Sequence, residues 1–179
     1  MRAQPLTLLE LIRKTIVVHT VTYFVLGVAA YLVFDYQTKF ADPRYAGIIR
    51  PLDHPLVMAG PLFQPIRGLL FALALFPLRD AIFGRKRGWL VLWWLFLVFG
   101  ILNTFGPSPC SIEGMIYSPL PFLDHITGLP ETVLQSLAMS SLLCYWVESP
   151  EKKGVGGILY FAFVLVLLLP ILGLLSRES

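Results

Sequence analysis

Gly157-Ile-Leu-Tyr-Phe-Ala-Phe-Val-Leu-Val-Leu-Leu-Leu-Pro-Ile-Leu-Gly-Leu-Leu175 carries no charged side chain, and its reading decides the fold. A helix of about 20 such residues reaches across roughly 30 Å of hydrocarbon. The remainder of the chain is not polar enough to enclose it in water. Of 179 residues, 56% are hydrophobic and only 14% are charged. A soluble domain so composed would expose large apolar patches, so lipid must serve as part of the solvent.

Working outward from that run, four more stretches qualify or nearly qualify. The expected fold is all-α: a polytopic integral membrane helical bundle with helices at about 15–34, 56–83, 89–105, 131–147 and 155–175, in a single transmembrane domain over 1–179. The run Thr15 to Phe34 is too long for a signal-peptide core, which spans about 7–15 residues, and reads as a retained anchor with residues 6–14 as an interfacial lead-in. Pro55, Pro61 and Pro65 interrupt the second stretch, giving a break near 61–65. Proline is tolerated best in the first turn of a helix, so Pro65 should open the regular part and place Arg67 near the outer surface.

Lys and Arg in the connections set the orientation. With the N-terminus inside, Arg2, Arg13, Lys14, Arg79, Arg85, Lys86, Arg87, Lys152 and Lys153 face the cytoplasm, and Lys39, Arg44, Arg50 and Arg177 face outward. That asymmetry places the N-terminus in the cytoplasm and the C-terminus outside a cell membrane. Trp89, Trp93, Trp94, Tyr145 and Trp146 then form an aromatic belt on the inner side. The net charge of +3 follows the topology signals rather than one basic face, which argues against nucleic acid as a partner and for membrane lipids. Gly68 with Ala72, Gly100 with Thr104, and Ser136 with Ser140 give small-xxx-small spacing, making helices two, three and four the expected packed centre.

The connection 106–130 contains five prolines and neither Lys nor Arg. Its many apolar residues argue against disorder, so an ordered outer cap is expected. Around it Gln64, Arg67, Asn103, Glu113, Tyr117, Asp124, His125 and Glu131, with Asp53 and His54, converge in the topology. Two readings compete for these residues. In one, Arg67 holds a phosphate or carboxylate through its planar guanidinium, Gln64, Asn103, Tyr117 and Glu131 line the substrate site, and Glu113 or His125 supplies a general base. In the other, Arg67 pairs with Glu113 or Glu131 and pins the cap to the bundle.

Other chemistries lack the spacing they need. His54 and His125 with Glu113 or Asp124 form no tight metal-binding pattern, so no metal is expected. His19, a lone helical histidine, is more simply a hydrogen-bonded residue than an axial ligand, and no cofactor is expected. Ser108, Ser111 and Ser118 read as turn residues beside proline, not nucleophiles. Cys110 and Cys144 fall at opposite ends of the bundle and cannot pair. Function therefore reads first as a small binding, assembly or accessory subunit of a membrane complex, with a protein partner possible. The second reading is an outer-leaflet enzyme acting on a lipid-linked anion through Arg67, Glu113 and His125. A transporter or channel comes third, because the crossings show little polar lining outside the outer third.

Overall fold

A computed structural model describes residues 5–178, apart from the side chains of Lys153, Arg177 and Glu178. Arg2 in the charge count thus lies outside the described residues, as do the side chains of Lys153 and Arg177. All regular structure among the described residues is helical. Helix α1 (Leu8–Val33) is followed by short α2 (Tyr36–Ala41) and α3 (Pro55–Met58), then α4 (Gln64–Leu75), α5 (Arg79–Ile82), α6 (Gly88–Leu97), α7 (Ile112–Tyr117), α8 (Phe122–Glu148) and α9 (Lys153–Glu178). Three stretches are long and apolar enough to cross a membrane: Leu8–Val33, Gly60–Ile82 and Gly154–Ser176.

The long elements alternate in direction. Lys14 near the start of α1 reaches the end of α8, and Gly84 before α6 meets Glu148 at that same end. Tyr36, after α1, meets Glu131 near the opposite end of α8.

Several boundaries differ from those expected. The lead-in and the first crossing form one continuous helix, α1, opened by the Thr7 side chain accepting from the Glu10 N–H at 3.3 Å. The second stretch is more broken than Pro55, Pro61 and Pro65 suggest. A 3-10 turn at Gly60–Phe63 precedes α4, Pro65 does sit in the first turn of α4, and a second 3-10 turn at Phe76–Leu78 surrounds Pro77 before α5. The third stretch leaves α geometry early: α6 passes into a π-helix at Val98–Leu102 and ends there rather than at 105.

The fourth departs furthest, because α8 begins at Phe122 and runs through Pro130, so the irregular cap is about ten residues shorter than read. Proline deprives that turn of one donor. The helix persists because neighbouring elements hold it on both sides of the proline, through His125, Thr127 and Glu131.

The packed centre is α1, not helices two to four alone. It contacts α4, α8 and α9, and Leu11, Val17, Val18 and Val21 are buried within it. So are Lys14, Thr15, His19 and Thr20, which makes the interior more polar than the crossings suggest one by one. Lys14 shows how this is accommodated. Its ammonium pairs with Glu10 at 2.9 Å, donates to the Trp146 carbonyl at 2.9 Å, and lies 5.6 Å from the centre of the Trp146 ring. A cation at the carbonyl end of α8 satisfies an orphan acceptor and the helix dipole together. Trp146 is accordingly interior, 6% exposed, and leaves the expected aromatic belt, whereas Trp89, Trp94 and Tyr145 stay exposed.

Gly68 is where α1 and α4 approach most closely. A Cβ added there would lie 2.7 Å from the Ile16 Cα, a backbone atom that cannot step aside. Ser136 and Ser140 are likewise buried, but Gly100 of the third small-residue pair faces open space. The two glycines should therefore respond in opposite ways. Gly68→Ala is expected to destabilise by about 1–3 kcal/mol, whereas Gly100→Ala should be neutral or slightly stabilising. Thermal unfolding in detergent checks both, and equal responses would show that the α1–α4 contact is looser than described.

Candidate functional site

Two polar groups emerge where the sequence suggests one. The first lies between α1, α4, α6 and α8. Because α1 and α4 run antiparallel through the Ile16–Gly68 contact, one turn further along α1 brings His19 beside Gln64, one turn back along α4. The Gln64 Oε1 lies 3.1 Å from His19 Nε2 and accepts from Arg67 Nη1 at 3.3 Å, while its Nε2 donates to the Gly60 carbonyl at 3.0 Å. Phe71 meets the His19 ring edge-on at 5.0 Å, and the Arg67 guanidinium lies 6.0 Å from the Tyr23 ring centre. These groups adjoin a cleft of about 140 Å³ lined by His19, Arg67, Phe71 and Phe96, with Gly100, Thr132, Gln135, Ser136 and Met139 opposite. The π-helical turn at Val98–Leu102 carries Gly100 at its rim. Such turns occur often where a helix is reshaped around a site.

Arg67 is exposed at this cleft and makes no ion pair among the described residues. The expected pairing with Glu113 or Glu131 is absent: Glu131 instead accepts from the Tyr36 hydroxyl, and Glu113 sits half-buried in α7 without a partner among the described residues.

The second group clamps the N-terminal end of α8 from two sides. On one side lies 35–50. Lys39 donates to Thr127 Oγ1 at 3.3 Å and lies 5.9 Å and 6.0 Å from the rings of Tyr36 and Tyr45. Arg44 bridges Asp42 at 2.8 Å and Asp124 at 3.6 Å. Burial pushes the Tyr36 and Tyr45 phenols above their usual range, reinforced by the carboxylates of Glu131 and Asp124 beside them. The Arg44 guanidinium holds Asp42 below the usual carboxylate range.

On the other side lies the proline-rich connection. The Cys110 N–H donates to His125 Nδ1 at 3.1 Å, and Cys110 takes a left-handed conformation with φ of 70°. His125 is only 1% exposed and serves this backbone. The cap serines are spent similarly: Ser111 Oγ accepts from the Gly114 N–H at 2.9 Å and donates to the Ser108 carbonyl at 2.7 Å, and Ser118 accepts from the Leu120 N–H at 3.1 Å. Burial raises the Cys110 thiol, which disfavours a reactive thiolate.

Of the residues singled out from sequence, Gln64 and Arg67 thus meet, and Glu131 joins the clamp. Asn103 ends the π-helix, exposed, while Tyr117 is 70% exposed on α7. Neither of these, nor Glu113 or His125, lines the cleft. The described residues hold no group of three or more His, Cys, Asp or Glu placed to bind a metal. Sequence reasoning set His19 aside and passed over Gln135, Tyr36, Lys39 and Tyr45. An available signal was the Asp42-Pro43-Arg44 turn among three aromatic residues and Lys39, which marks an ordered segment. Compared with known proteins, the chain matches no family model, no curated protein and no solved structure.

The clamp yields two expectations. Removing its histidine orphans the Cys110 N–H, a loss of about 1–3 kcal/mol. His125→Ala in a Cys144→Ser background should therefore raise the rate of maleimide labelling at Cys110 about tenfold or more, and an unchanged rate would mean that the connection is held by other contacts. A phenol whose pKa is raised by folding adds stability in full below pH about 10, and that stability is lost as pH rises beyond it. Tyr36→Phe should flatten the alkaline decline in thermal stability between about pH 10 and 11.

Proposed function

We propose that the chain crosses the membrane five times, N-terminus in the cytoplasm, as a small binding, assembly or accessory subunit whose ligand is the anionic group of a membrane amphipath held by Arg67. The carrying observation is a guanidinium exposed at a cleft with no carboxylate paired to it. An unpaired cation at the bilayer centre costs roughly 2.5–3.5 kcal/mol on insertion scales, and Arg67, in the first turn of α4, bears part of that penalty, which an anion from outside the protein offsets.

Five crossings are supported by the alternation of the long elements and by the length of α8, while Gly88–Leu102 is a shorter apolar helix. Helix α8 has 27 residues, about 40 Å at 1.5 Å per residue, and its serines turn inward. An outer-leaflet enzyme working through Arg67, Glu113 and His125 has weaker support, because Glu113 in α7 and His125 in the first turn of α8 both lie away from the cleft and His125 Nδ1 is occupied by a backbone N–H.

Protein purified with its native lipids should retain anionic lipid in native mass spectra. Arg67→Gln should weaken that retention about tenfold to a hundredfold, as expected for losing hydrogen bonds to a charged group. Arg67→Lys should fall between the two. Equal retention by wild type and Arg67→Gln would end the proposal.

A further inference from the structure

His19 adds a requirement that the guanidinium alone does not impose. The Gln64 amide is fixed in orientation, because its nitrogen donates to the Gly60 carbonyl and its oxygen therefore faces His19 and Arg67. A histidine nitrogen facing an acceptor oxygen carries the hydrogen, so Nε2 is the N–H. In the neutral ring Nδ1 is then a lone-pair acceptor. That nitrogen is itself buried and has no partner among the described residues, while the His19 side chain, 97% buried, lines the cleft. A buried acceptor left unpaired is costly. On α8, Gln135 also lines the cleft and forms no hydrogen bond among the described residues. The cleft of about 140 Å³ is open on one side and large enough to admit a headgroup fragment.

Resting on the proposed anion-binding function, we infer that the cleft is a headgroup site selecting phosphate esters that carry a hydroxyl near the phosphate, with the phosphate on Arg67 and the hydroxyl donating to His19 Nδ1. His19 is the selecting residue. The shared chemistry is a hydroxylated phosphate ester, whether a phospholipid headgroup or a soluble glycerol phosphate.

The test uses the full chain in detergent, titrated with phosphatidylglycerol, with phosphatidylmethanol, which has the same charge but no headgroup hydroxyl, and with phosphatidylcholine. Wild type should prefer phosphatidylglycerol to phosphatidylmethanol by about fivefold, the worth of one neutral hydrogen bond. His19→Phe, similar in size but without the acceptor, should bind the two equally. Competition by glycerol 3-phosphate against bound phosphatidylglycerol would assign a soluble ester, and failure to compete would assign the lipid. The wild-type comparison needs no variant, so poor folding of His19→Phe leaves it decisive. Equal binding of the two anionic lipids, still lost in Arg67→Gln, overturns the selectivity alone. Binding indifferent to Arg67→Gln overturns the anion-binding function beneath it.

Discussion

The backbone contact between Ile16 and Gly68 is the constraint on which the site depends. With no side chain at 68, α1 and α4 approach closely enough for His19 and Gln64 to share a hydrogen bond one turn away. Arg67 follows from the same geometry, since its position three residues after Gln64 brings its guanidinium to the same amide oxygen. A larger residue at 68 would separate the helices, and the buried His19 and Gln64 would each lose the partner that now satisfies it.

The central place of α1 follows from its composition as much as from its contacts. Lys14 and His19 cannot face lipid cheaply, so the helix that carries them is the one enclosed by α4, α8 and α9. Helix α9 is the opposite case. Its core run has no charge, and Phe161, Ile158 and Leu172 remain exposed on its outer side, as suits a wall against hydrocarbon. Between these extremes α8 turns Ser136 and Ser140 inward, each hydroxyl donating to a carbonyl of its own helix, at 2.9 Å and 2.7 Å.

The two ends of the bundle are closed by different devices. At one end, Lys14 ties α1 to the last carbonyls of α8, and Glu148 accepts from the Gly84 N–H at 2.9 Å. At the other, segment 35–50 and the connection before α8 grip its first turns, which lets the helix carry Pro130 without ending. That grip separates cap from cleft. His125, Asp124 and Glu131 are engaged in holding the cap, and Arg67 is left with an amide oxygen rather than a carboxylate.

Apolar run length by itself determined that the chain is helical and has stretches able to cross a membrane, because a helix in hydrocarbon must be both long and greasy. Local chemistry likewise fixed Pro65 in the first turn of α4 and the turn roles of the cap serines, since both depend only on neighbours along the chain. Which polar residues meet was decided by tertiary structure alone. His19 and Gln64 lie 45 residues apart and Tyr36 and Glu131 lie 95 apart, so only helix packing joins them. The same holds for the course of α8 through Pro130: a proline weakens a helix locally, and contacts from distant segments decide whether the helix survives.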